Sequence, residues 1–276
     1  MLRSKQQMGP MTIDQLRARA PSIFAERPAD RMTSRYKFIP TGNVVERLMS
    51  EGWSPVHAIE QRVRKDDRRG VQKHVVRFRR YDGEQPTLRV GDSLAELQLL
   101  NSHDGTSAYQ LSAGLFRLVC SNGLLLPDST FETVRVKHSG READDVIEAS
   151  YRVIEELPAI QESVERLRSV QLSDDEARAF ATAALGLKYD EGKAPITPTA
   201  LLLARRTGDQ QRDLWTTFNR VQENLIEGGQ RGWTRSEARG MRRATTRSVT
   251  GIDESNRLNK SLWTLADEMA KIKLAA

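Results

Sequence analysis

A chain of 276 residues exceeds a minimal fold and has room for one large domain or two of ordinary size. Its 38% hydrophobic and 29% charged residues exclude a disordered or membrane-embedded chain, and no run approaches the ~18 apolar residues of a membrane helix. The net charge of +6 is modest for a nucleic-acid binder, and the single cysteine excludes an internal disulfide and every multi-cysteine zinc pattern.

In chain order, the N-terminal MLRSKQQMGPMT lacks an apolar signal core, so a cytoplasmic protein is expected. Thr12-Ile-Asp-Gln15 has capping-box spacing and predicts a short helix ending before Pro28. Asn43 to Ser50 predicts a second helix, stopped by Gly52. From Trp53 to Gly140 strand-like runs alternate with DDRRG, YDGEQP, HDG and SNG turn signals, which predicts a mainly antiparallel sheet. Within it, Cys120 continues the run LFRLV and reads as a small buried hydrophobe, with Asn122-Gly123 as a type I′ turn.

Beyond Gly140 the period lengthens. Val146, Ser150, Val153, Leu157, Ile160, Val164 and Leu167 form the seam of a long helix, which Pro158 should kink. That seam suits packing on the sheet or an oligomer contact. Ser173-Asp-Asp-Glu176 is a second capping box, Thr197-Pro198 opens a third C-terminal-half helix, 213–229 forms a fourth ended by two glycines, and Asp253 begins a fifth. The expected class is α+β: an antiparallel β-meander packed against a long kinked helix, then a C-terminal helical layer. The expected organisation is a helical arm over 1–35, a sheet core with the long helix over 36–172, and a helical region over 173–276.

Charge is sorted along the chain. Residues 61–80 hold nine Arg/Lys against two Asp, a local +7, and 228–247 hold six Arg against one Glu, a local +5. Residues 141–192 hold thirteen acidic against six basic residues, a local −7. Segregated positive charge attracts phosphate backbones through counterion release. The second basic stretch, with Trp233 among arginines and weak periodicity, reads as a mobile anion-binding loop suited to single strands.

Catalytic signals are weak. The four histidines, His57, His74, His103 and His138, lie 17, 29 and 35 residues apart, without close metal-ligand spacing. Asn101 to Thr106, NSHDGT, offers His103 or Asp104 as a general base, while a tight turn between strands explains the same letters. Phosphate-loop, dinucleotide and GxSxG motifs are missing from the sequence.

Six stretches, IPTGNVVERLMSEGW, QKHVVRFRR, LLNSHDGTSAYQLSAGLFRLVCSNGLL, VRVKHSG, DLWTTFNRVQENLIEGG and LNKSLWTLADEMA, run in order over about residues 36–270. They resemble the successive signatures of a phage- and plasmid-encoded family catalogued as a domain of unknown function. The resemblance implies a protein of mobile elements. In architecture alone, a meander followed by a long helix is similar to the core of ring-forming single-strand annealing proteins.

The reading that follows is a sequence-independent DNA-binding protein that binds or anneals single strands in recombination or replication. Its expected partners are nucleic acid, single-stranded DNA before duplex, and further copies of itself, with no membrane, no cofactor and no metal. The candidate contacts are Arg62, Arg64, Lys65, Arg68, Arg69, Lys73, Arg77, Arg79 and Arg80, with Trp53 or Tyr81 for stacking, and Arg235, Arg239, Arg242 and Arg243. Two alternatives stay open: a nucleic-acid-acting enzyme using His103 and Asp104, with His138 and a metal, or an interaction protein that acts on a host factor through the long helix.

Overall fold

The computed structural model describes residues 9–34, 36, 38–64, 66–81, 93–117, 124–125, 134–136, 142–236 and 240–275. Two compact units share the chain: Met1–Ser121 with Asp128–Leu157, and Asn122–Pro127 with Pro158–Ala276. The predicted Cys120 strand end and Asn122-Gly123 turn lie outside the described residues.

The first unit is built on a meander. Strands β1 (Trp53–Glu60), β2 (His74–Arg80), β3 (Ser93–Asn101) and β4 (Tyr109–Arg117) pair in sequence order, all antiparallel, and β6 (Val134–Val136) pairs with β4. The two strand-like runs expected over 107–123 share a continuous β4 through Arg117. Register puts Ala58, Val76, Phe78, Leu97, Leu99, Leu111, Ala113 and Leu115 on one face, all buried. Helices α1 (Ile13–Arg19) and α2 (Thr41–Ser50) pack at β1, and Met11 N donates to Pro55 O at 2.7 Å. The fully buried Val44, Val45 and Leu48 of α2 contribute about 1.5–3 kcal/mol each by leaving water.

Sequence signals set these boundaries. Thr12 forms its expected capping box with Gln15, satisfying two otherwise orphaned N–H groups. Gly52, at φ +89°, ends α2 in a conformation costly for a side chain.

Helix α3 (Glu142–Ser169) runs 28 residues with Pro158 inside it. Its first half contributes buried Ile147 and Ser150, and the Tyr151 hydroxyl donates to Glu51 Oε2 at 2.8 Å.

In the second unit the helical layer comprises the rest of α3, α4 (Asp174–Gly186), α5 (Pro198–Leu201), α6 (Leu214–Glu227) and α7 (Ile252–Ala275), with the short β5 (Leu124–Leu125) beside α7. Ser173 and Glu176 complete the second capping box. Trp215 stacks on Phe218 at 5.6 Å between centroids, and Phe218 meets Trp263 edge-on at 6.3 Å. These rings join Leu214, Leu258 and Leu262 in the unit's core. The class is therefore α+β, with a meander, a long proline-containing helix and a helical C-terminal layer.

Candidate nucleic-acid interface

The stretch expected to be a mobile loop is an ordered antiparallel hairpin, β7 (Arg231–Ser236) and β8 (Gly240–Thr245). Its main-chain pairing supplies the order that side-chain periodicity does not suggest. Contacts on either side of β7 seat it in the second unit. Asn224 of α6 accepts from Gln230 Nε2 at 2.6 Å and from Arg205 Nε at 2.7 Å, while its amide nitrogen donates to Leu201 O and Leu203 O. Trp233 N donates to Pro195 O at 2.7 Å. Gly232 lies so close to the Pro195 carbonyl that a Cβ there would overlap it.

Direct pairing places Arg231 opposite Thr245, Trp233 opposite Arg243 and Arg235 opposite Met241, so these six share a face. Arg231, Arg235 and Arg243 are exposed, Trp233 is 52% exposed, and the Arg243 guanidinium sits 5.8 Å from the Trp233 ring centroid. Arg242 is exposed on the opposite face, and Arg239 is outside the described residues. Beside the hairpin a cavity of about 830 Å³ is lined by Pro195, Ile196, Arg231, Trp233, Arg243 and Thr245. Guanidinium groups and an indole on the wall of one groove match a phosphodiester chain with unstacked bases.

The first basic segment divides sharply. Arg62, Arg64, Arg69 and Arg80 are exposed, whereas Lys73, Arg77 and Arg79 are each 6% exposed. Arg77 and Arg79 project from the sheet face opposite the apolar one, where Glu96 of β3 holds both: Arg79 Nη2 at 2.5 Å and Arg77 Nε at 3.4 Å. The expected groove over 61–80 therefore does not include Arg77 or Arg79, which are buried and share the Glu96 carboxylate. Arg68 is drawn inward as well, with Nε and Nη2 at 2.7 and 2.6 Å from Asp104 Oδ2. Trp53 is 3% exposed and offers no stacking surface, and Tyr81 instead lies against Arg79. Lys65 lies outside the described residues.

Of the candidate catalytic residues, His103 and Asp104 are buried near one end of the apolar sheet face, and His138 lies outside the described residues. His74, Asn101 and Tyr109 follow the register of that face, and α2 delivers Thr41 between them. The Thr41 hydroxyl lies 2.9 Å from His74 Nε2, 3.1 Å from His103 Nε2, 3.0 Å from Asn101 Nδ2 and 3.2 Å from the Tyr109 hydroxyl. Burial pushes the His74 ring down to about 4, against opposing effects of the Gln72 carbonyl and the Asp104 charge. Burial also pushes His57 well below the ordinary histidine value, aided by the charges of Arg77 and Arg19.

Asp104 occupies the turn between β3 and β4, which Gly105 completes at φ +76°. Burial alone would raise its carboxyl, but hydrogen bonds from the Thr106 hydroxyl and amide and the Arg68 guanidinium hold it below the usual carboxylate value. A general base works best near the ambient pH, so these contacts suit Asp104 to fixing the turn. Among the described residues no three His, Cys, Asp or Glu side chains are grouped to hold a metal ion, and His138 is outside that set.

Comparison with known proteins places this chain in a family. The family model described as "Domain of unknown function (DUF932)" matches residues 29–263. The chain belongs to the DUF932 family. It is 40% identical over 260 residues to the UPF0380 proteins YafZ and YfjQ of Escherichia coli (strain K12), covering 94% of this chain and 92% of each relative. No solved structure matches the chain significantly. The DUF932 span includes the Thr41 network, the Arg77–Glu96–Arg79 group and the whole hairpin. Among the described residues, no helix is long and apolar enough to cross a membrane.

Sequence reading missed Arg231 as a site residue because it precedes the densest run of arginines. The signal available was the Arg-x-Trp-x-Arg spacing of residues 231–235, which puts all three on one face of any strand.

Proposed function

We propose that this DUF932 protein binds nucleic acid without base-sequence specificity, preferring single-stranded DNA, and that it serves recombination or replication of a mobile element. The observation that carries the reading is the exposed hairpin face on which Arg231, Trp233, Arg235 and Arg243 stand together above a groove. Arginines on an extended scaffold neutralise phosphates, and a half-exposed indole stacks any base, so such a face tolerates all sequences. Duplex DNA keeps its bases stacked inward and forgoes the indole, which gives single strands the advantage. Resemblance to phage- and plasmid-encoded proteins supports the mobile-element setting.

The test is fluorescence anisotropy of labelled single- and double-stranded oligonucleotides of one length, titrated with wild type and with a Trp233→Ala/Arg243→Gln variant. The expected result is tighter single-strand binding by wild type and a loss of about 2–4 kcal/mol in the variant, from one stacked base and one phosphate contact. Undiminished binding by the variant, or no binding by wild type at low salt, would refute the assignment.

A further inference from the structure

A second concave site lies in the helical layer, lined by residues distinct from those of the hairpin groove. It is a cavity of about 470 Å³ between α4, α5 and α6, with a polar wall that includes Arg178, Arg212, Arg220 and the Asp174 carboxylate, and an apolar wall that includes Leu172 and Leu202. The volume lies within the range of small-ligand sites.

The three guanidinium groups differ in how firmly they are held. Arg178 pairs with Asp175 at 3.2 Å and Arg212 with Asp174 at 3.4 Å, but every one of those side chains is more than half exposed. Exposed pairs of this kind stabilise by about 0–1 kcal/mol, so they yield readily to a doubly charged anion. Arg220 is the fixed member. Its Nη2 donates to two neutral oxygens, Thr217 Oγ1 at 3.0 Å and Gln211 O at 3.3 Å, and its buried Nε has no hydrogen-bond partner. Desolvation lowers its pKa even with Asp209 and Asp213 nearby. Those carboxylates are otherwise engaged: Asp209 accepts from Arg206 at 3.1 Å, and Asp213 caps α6 by accepting from Thr216 N at 2.8 Å.

We propose that this cavity binds a phosphomonoester of nucleotide size, its phosphoryl group held by Arg178, Arg212 and Arg220 and its uncharged part resting against Leu172 and Leu202. A planar guanidinium presents paired donors that fit phosphate oxygens, and three of them converging on one dianion outcompete the exposed pairings of Arg178 with Asp175 and Arg212 with Asp174. The apolar wall makes a nucleoside monophosphate a better occupant than bare phosphate. This site does not depend on the hairpin reading.

Isothermal titration of the full chain with a nucleoside monophosphate, the parent nucleoside and inorganic phosphate tests it, with a 5′-phosphorylated oligonucleotide as a fourth titrant to separate free nucleotide from a strand end. Saturable binding of the monophosphate is expected, tighter than inorganic phosphate and absent for the nucleoside. Arg212→Gln and Arg178→Gln, at exposed positions, should each weaken it about tenfold, and Arg220→Gln at least as much. Trp233→Ala/Arg243→Gln, which disables the hairpin face, should leave it unchanged. A stronger response to the phosphorylated oligonucleotide than to the mononucleotide identifies a strand end as the source of the phosphate and supports the site. Equal affinity for inorganic phosphate overturns the nucleotide assignment. Wild type that binds none of the phosphates, or arginine variants that bind as wild type does, would overturn the site itself.

Discussion

Thr41 has one hydroxyl proton and several polar neighbours competing for it, and the arrangement resolves that competition. His74 Nδ1 lies 3.1 Å from the Gln72 carbonyl, which only accepts, so Nδ1 carries the ring proton and the neutral ring presents Nε2 as an acceptor. Thr41 therefore donates to His74 and accepts from Asn101 and His103, while Tyr109 gives its own proton to Ile39 O at 3.0 Å. A second proton on His74 would set two donors against each other in a fully buried site. The folded state holds His74 near 4 whereas an unfolded chain has it near 6.5, so between those values the unfolded chain binds more protons. Stability is then complete above pH 6.5 and falls as pH drops toward 4, by about 3 kcal/mol from this ring. His57 acts in the same direction. Urea midpoints taken from pH 7.5 to 4.5 should show that decline, and His74→Gln, which cannot titrate, should flatten it. An identical slope in both proteins would place the acid sensitivity elsewhere.

At the scale of elements, what the sequence disclosed follows from where water lies. Both capping boxes and the meander were legible because local hydrogen bonding and half-buried alternation leave a regular trace. The hairpin was not legible: Arg231, Trp233, Thr234 and Arg235 are all exposed, so neither face of β7 carries an apolar signature. Arg77 and Arg79 misled for the opposite reason. They alternate with Val76 and Phe78 as solvent-facing residues do, yet that second face is also buried, and the Glu96 that pairs with both lies on another strand. Gly232 lets β7 approach Pro195 by its lack of a side chain. Gly232→Ala should lift β7 from Pro195 and break the Trp233 N bond to Pro195 O. Amide hydrogen exchange should then quicken by about tenfold or more at Trp233 and its strand neighbours, with α6 amides unchanged. Protection at Trp233 equal to wild type would mean that this contact does not hold the hairpin.

At the scale of the whole molecule, the question is how many of the segregated positive charges act on one ligand. The two basic segments belong to different units, and of the eight described cations of the first, burial leaves Arg62, Arg64, Arg69 and Arg80 exposed. Counterion release turns that into a measurable number, because each phosphate neutralised on a single strand lowers the slope of log K against log salt by about 0.7. Arg231, Arg235 and Arg243 acting alone predict a slope of about −2. If the four exposed arginines of the first unit engage the same strand, the slope steepens to about −5. Anisotropy titrations of one oligonucleotide across a salt series distinguish the two, and replacing Arg62 and Arg64 by Gln sharpens the comparison. A slope near −2 that this substitution leaves alone confines binding to the hairpin, while a steep slope that falls by about 1.4 shows that both units grip the strand. A slope near zero would remove phosphate neutralisation as the basis of binding, and the charge sorting along the chain would then have to serve contacts of another kind.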